Sequence, residues 1–259
     1  MRAYRIAYDG TEHRGFQRQP HGETIEKALF DALRELGVDF EDGTPVGYAA
    51  AGRTDAGVSA RAQTVAFRAP AWLSPAAFNG ELPAPIRAWA AADVGGSFHA
   101  THDAVERTYR YFLYAPEADD GRAETAAGKL SGKHDFHNFT PDDEGTEREL
   151  SVSVRREGVF LVVDCRAGGF ARRLVRRLVS ALSAVAAGDR PPAFLDRALA
   201  SEPLCGPEGI ESAAPEPLVL RDVRYPNVEF EADDRALEAT RELFEARRRR
   251  RLADRKSVV

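Results

Sequence analysis

With 259 residues, 43% of them hydrophobic and 30% charged, the chain is long enough to bury one large core or two small ones, and its composition excludes a disordered polymer. No window approaches eighteen uninterrupted apolar residues, the start Met1-Arg2-Ala3-Tyr4-Arg5 leads into no signal-like stretch, and Cys165 and Cys205 alone make neither a disulfide framework nor a zinc site, so a cytoplasmic protein without a membrane segment is expected. The net charge of −5 argues against nucleic acid only until its distribution is read: Arg241 to Lys256 carries eight basic and three acidic residues, an excess of five that leaves −10 for the rest.

Tyr4, Ile6 and Tyr8 alternate with Arg5 and Ala7, which predicts a strand from Ala3 to Tyr8. A turn-rich stretch runs on to Gly22. Ile25, Leu29, Leu33 and Leu36 then recur at helical spacing, with Gly37 placed as a C-cap glycine. Val46 to Ala51 precedes a glycine-rich loop and a strand-like Gln63 to Phe67. Ser74-Pro75 reads as the N-cap and first turn of a short helix ending near Asn79-Gly80, and Ile86 to Val94 as another strand. Gly95-Gly96-Ser97 is the natural place for a boundary, giving an N-terminal α+β subdomain over 1–96 and a C-terminal one over 97–259.

Beyond it, Arg107 to Leu113 is strand-like, and Pro116 to Gly132 reads as an irregular insertion with a short helix. Ser151 to Val154 and Val159 to Val163 suggest a hairpin around Arg155-Arg156-Glu157-Gly158. Phe170 to Ala187 is the longest helical pattern, Leu218 to Tyr225 a late strand, and Leu237 to Arg251 a last, highly charged helix. The fold class expected is α+β, two subdomains with antiparallel sheets backed by helices.

Three stretches stand out chemically. Gly52-Arg53-Thr54-Asp55-Ala56-Gly57-Val58 puts a carboxylate on a loop where backbone can approach a ligand, although an aspartate closing its own turn has the same signature. Arg107-Thr108-Tyr109-Arg110-Tyr111 places both tyrosines on one strand face, as core residues or as a stacking surface for a base. Gly168-Gly169-Phe170-Ala171-Arg172-Arg173-Leu174-Val175-Arg176-Arg177 sets four arginines beside an apolar stripe with no local glutamate to balance them, an arrangement that suits phosphates or a buried carboxylate. Only four of the 36 basic residues are lysines, an arginine bias compatible with RNA and equally with a GC-rich genome or salt adaptation.

Taken in order with Tyr8-Asp9-Gly10 and Gly15-Phe16-Gln17-Arg18-Gln19, and supported by His134-Asp135-Phe136, Asn138-Phe139, Ala213-Ala214-Pro215 and Leu218-Val219-Leu220, these motifs resemble the TruA family of tRNA pseudouridine synthases over nearly the whole chain. The resemblance implies the pseudouridine synthase fold, two ferredoxin-like-type subdomains with a catalytic cleft between them. It also implies a homodimer acting on tRNA, in the anticodon stem-loop region, with no cofactor and no metal. By the same resemblance Asp55 is the catalytic carboxylate, Arg176 its ion-pair partner, and Tyr109 the residue that stacks on the target base. Arg53 matches the family's residue that fills the gap left by the flipped uridine, Phe170 is expected to shield the site, and Arg172 and Arg173, by their charge, to bind substrate. Two positions depart from the family pattern: Ser59 stands where histidine is usual, and Ser180 where glycine commonly follows the helical arginine. Competing readings are a synthase acting on another RNA and a non-catalytic protein that binds structured RNA.

Overall fold

A computed structural model describes residues 1–204 and 206–256; Cys205 lies outside them, and Cys165 is a buried free thiol. Along the chain come β1 (Arg2–Tyr8), α1 (Ile25–Glu35), β2 (Phe40–Glu41), β3 (Thr44–Pro45), β4 (Ala49–Ala50), β5 (Ser59–Phe67), α2 (Pro75–Phe78) and β6 (Ile86–Asp93). They are followed by β7 (Glu106–Tyr114), α3 (Asp120–Leu130), β8 (Gly132–Asp135), β9 (Glu147–Glu157), β10 (Phe160–Ala167), α4 (Leu174–Ala187), α5 (Ala193–Ala198) and β11 (Leu218–Arg224). The described chain ends with β12 (Glu231–Ala232) and α6 (Asp234–Lys256). Residues group into two compact units. The first comprises Met1–Thr54, Ala60–Asp103 and the chain from Tyr225 onward; the second comprises Asp55–Ser59 and Ala104–Arg224. Each is an antiparallel sheet with helices packed on it, the α+β class expected.

In the first unit the strand order is β12-β6-β1-β5, with β4 paired to β5. β1 is central, and Tyr4 and Tyr8 on one of its faces are almost fully buried; Tyr4 stacks on Phe67 of β5 and meets Phe78 of α2 edge-on. Helix α1 begins where Thr24 accepts a hydrogen bond from Lys27 N, and it buries Ile25, Leu29, Phe30 and Leu33. Ser74 caps α2 as its Ser-Pro pair predicts, accepting from Ala77 N at 3.1 Å.

Helix α6 packs on β6 of the same unit. Its start is held by the Asp233 carboxylate, which accepts from Ala236 N at 3.0 Å and from Ala76 N at 3.1 Å. Farther along, the buried Asp9 just after β1 receives Arg247 and Arg251, with Nε of Arg247 at 3.2 Å and Nη2 of Arg251 at 2.5 Å from Oδ2. Thr11 donates its backbone N–H and its hydroxyl to the other oxygen. Burial alone would raise the Asp9 pKa; the bonds from Thr11 and Arg251 and the Arg251 charge outweigh it and hold the carboxyl below its usual range.

In the second unit the order is β11-β7-β10-β9-β8, all antiparallel. The hairpin of β9 and β10 is far longer than its sequence pattern suggests, because charged residues alternate on the exposed side of β9 and interrupt the apolar run. The stretch from Pro116 to Gly132 does hold a helix, but at 11 residues α3 fills most of it and leaves little that is irregular. Asp119 caps it, and its buried face is built from Ala123, Ala126, Ala127 and Leu130, side chains too small to give a conspicuous apolar stripe. Helix α4 starts at Leu174, four residues later than its periodicity predicts. Arg173 has a left-handed φ of 61°, and the Arg172 backbone is bonded to Asp142 and Thr140 rather than to a helical turn.

β7 carries different chemistry on its two faces. Tyr109 and Tyr111 lie buried on one; on the other, Arg110 forks onto Asp164 of β10 at 2.6 and 2.7 Å, and Arg155 of β9 adds a third contact at 3.2 Å. These bonds more than offset the burial of Asp164 and hold its pKa down. Asp164→Asn leaves the Arg110 guanidinium without its counter-charge, while Arg155 keeps Glu157 at 2.6 Å, and a loss of about 3 kcal/mol is expected in denaturant unfolding.

Candidate active site

The loop that carries Asp55 is fixed from both of its ends. On the first unit's side, Gln63 Nε2 donates to Gly52 O at 2.7 Å, Phe16 N to Thr54 O at 3.0 Å, and the Tyr8 hydroxyl shares a 2.7 Å hydrogen bond with Thr54 Oγ1. Thr54 is thereby buried, while Arg53 beside it stays exposed. On the second unit's side, Val58 N donates back to Asp55 O at 3.2 Å, closing a reverse turn whose third residue is Gly57 with a φ of +84°. A Cβ there would meet Pro215 Cγ at 2.9 Å, so the backbone conformation and the close neighbour both require glycine. The turn that would satisfy the aspartate reading is therefore made by backbone, which leaves the Asp55 carboxylate available.

That carboxylate meets one cation. Arg176 Nη1 lies 3.0 Å from Asp55 Oδ2, forming the ion pair the resemblance implied. Arg176 sits in the first turn of α4, and its Nε donates to Ala213 O at 2.7 Å, while Ala213 N returns a bond to Arg176 O at 3.1 Å. The guanidinium is thus held from two sides and aimed at the aspartate. Asp55 keeps about a third of its side chain exposed, and among the described residues Oδ1 has no partner. A charged carboxylate oxygen is presented to a ligand while its twin is neutralised.

Tyr109 faces this pair from β7. Burial pushes its phenol up to about 12, Arg107 pulls it partly back, and the nearby Asp55 charge raises it further. Phe170 meets the Tyr109 ring edge-on, with centroids 5.0 Å apart and planes at 83°. Phe170 is not on α4, as its spacing to Leu174 suggests, but in the preceding segment, whose Gly168 carbonyl accepts a hydrogen bond from Arg107. Tyr111 is buried beside them, its pKa raised by burial and lowered by the Arg176 charge.

Of the predicted site residues, the second unit gathers Asp55, Arg176, Tyr109 and Phe170. Arg172 is exposed and paired with Asp142 at 3.1 Å, so its counter-charge comes from a distant loop rather than from its own segment. Arg173 is exposed at the strained start of α4. Sequence reading assigned no role to the Ala213 carbonyl, to Thr54 with Tyr8, or to Pro215. The first and last lie in the Ala-Ala-Pro motif already noticed, but a backbone acceptor leaves no trace in residue type.

A family model described as tRNA pseudouridine synthase matches residues 126–226. The chain is 72% identical to tRNA pseudouridine synthase A of Natronomonas pharaonis, covering 98% of this chain and 96% of that one. It is 58% identical to the protein of that name from Haloarcula marismortui, over 96% and 94%, and 38% identical to that of Methanothrix thermoacetophila, over 97% and 93%. By these near-full-length matches, the chain belongs to the TruA family of tRNA pseudouridine synthases.

Proposed function

We infer that the protein converts uridine to pseudouridine in tRNA, with Asp55 as the catalytic carboxylate. The observation that carries this reading is the Asp55–Arg176 pair, one carboxylate oxygen bound and the other open, beside the Tyr109–Phe170 ring pair. The reaction breaks N1–C1′, turns the uracil within the site and joins C5 to C1′; a proton leaves C5 and N1 gains one. No water enters the product, so the second carboxylate that a hydrolytic glycosidase uses to activate water has no task. Asp55 Oδ1 either attacks C1′ or takes the C2′ proton, and both routes need the carboxylate charged as the base closes over it. Arg176 keeps it so.

Tyr109 supplies a flat, neutral ring and a phenolic hydrogen-bond donor. Because its folded pKa lies above the usual 10, it stays protonated until the pH rises toward about 12. Its contribution to stability is complete below about pH 10 and is lost above it. The expected pH–rate profile therefore has no descending limb from Tyr109 below about pH 10, and Tyr109→Phe leaves the shape of the profile unchanged while lowering its height. A limb that disappears in Tyr109→Phe would show instead that the phenol titrates during turnover.

Phe170 shields the pair from water, Arg53 occupies the space vacated by the uridine, and Arg172 and Arg173 contact phosphates. A homodimer, a cytoplasmic setting and action in the anticodon stem-loop belong to the same proposal and rest on family membership. Carbodiimide labelling and primer extension on tRNA transcripts incubated with the protein test it. Enzyme-dependent stops at uridines of that stem-loop are expected; stops elsewhere move the target region, and tRNA binding without any stop refutes the activity.

A further inference from the structure

The five consecutive arginines of α6 divide into two sets. Arg247 and Arg251, one helical turn apart, both point to the buried Asp9, and Arg251 also reaches Thr11 Oγ1 at 2.6 Å. This half of the helix is therefore fastened to the first unit rather than standing off it as a solvated tail. Successive side chains leave a helix about 100° apart, so Arg248, Arg249 and Arg250 fan out over the remaining directions. All three are exposed. Arg248 and Arg249 share one carboxylate, Glu245, at 3.4 Å, an exposed contact of the kind that holds its partners weakly. One carboxylate shared by two of three guanidinium groups leaves a net positive ridge on a chain that is otherwise acidic.

We propose that Asp9 docks α6 so that Arg248, Arg249 and Arg250 form a phosphate-binding ridge for the backbone of the tRNA substrate. The arrangement distinguishes this role from structural charge balance, because the structural work falls on Arg247 and Arg251, whose counter-charge is buried, and not on the other three. Charge complementarity selects a polyanion, and guanidinium groups spread over several directions suit a run of phosphates better than one small anion. Asp9 directly follows Tyr8, so the helix is fastened at the end of the strand whose Tyr8 hydroxyl bonds Thr54. The inference rests on tRNA being the substrate.

The test compares the wild type, a triple glutamine variant (Arg248→Gln, Arg249→Gln, Arg250→Gln), the corresponding triple lysine variant, and Asp9→Asn. Filter binding of a tRNA transcript is measured between about 0.1 and 0.5 M salt, with tritium release at saturating tRNA and thermal unfolding alongside. The glutamine variant is expected to lose about two to three units of the log Kd against log salt slope and to bind at least tenfold more weakly at the low-salt end. Its turnover at saturation stays near that of the wild type. The lysine variant keeps the slope, and Asp9→Asn lowers the unfolding temperature more than the glutamine variant does. An unchanged slope in the glutamine variant overturns the proposal, as does a lysine variant that loses binding as fully. Failure of the wild type to release tritium refutes the functional reading instead and is seen separately.

Discussion

Replacing Asp55 by asparagine is expected to lower pseudouridine formation by about four orders of magnitude or more, with tRNA affinity kept within a few-fold. Asparagine preserves size and can still accept from Arg176 Nη1, so the loop, held by Gln63, Phe16, Tyr8 and the turn at Gly57, has no reason to move. What it removes is the charge on Oδ1, the one carboxylate oxygen open to a ligand. A neutral amide neither adds to C1′ nor takes a proton from C2′. Single-turnover digestion of the tRNA to nucleosides, with quantitation of pseudouridine, checks this. Affinity, read separately by filter binding, distinguishes lost chemistry from lost docking.

Arg176→Met has the second largest expected effect, a fall of about a hundred- to a thousandfold in kcat with KM changed only a few-fold. Methionine keeps the helical first turn and much of the side-chain volume but removes the cation at 3.0 Å from Asp55 and the donor to Ala213 O. Asp55 then faces the base without its counter-charge and without the group that orients it. Arg176→Lys recovers only part of the rate, because one ammonium cannot reproduce the fork that bonds Ala213 O through Nε and Asp55 through Nη1. An effect confined to KM would place Arg176 in substrate docking instead.

Much of this site is legible in the sequence itself. Asp55 lies in a glycine-bracketed loop, and Tyr109 and Tyr111 share a face because strand side chains alternate; both are local properties of sequence. The α4 register was misread at its start because Phe170 is in phase with Leu174, Leu178 and Leu182, and periodicity cannot reveal that the Arg172 backbone bonds Thr140 and Asp142 instead. That difference matters, since leaving the helix lets Phe170 turn its ring against Tyr109. Helix α3 is longer than the short helix expected there for the opposite reason, an alanine-built face that carries little hydrophobic signal. Partnerships across long stretches of sequence are the least legible. Asp9 and Arg247 are 238 positions apart, and nothing in either neighbourhood names the other.

One carboxylate, Asp55, is expected to drive uridine isomerisation in tRNA. Tritium release from tRNA transcripts labelled at uracil C5, with wild type and Asp55→Asn side by side, tests it most directly, since the label leaves only when C5 forms its new bond to C1′. The prediction is release by the wild type and none above background from Asp55→Asn, with both proteins bound to the tRNA. Equal release by both would contradict the assignment of Asp55; binding by the wild type without release would contradict the activity itself.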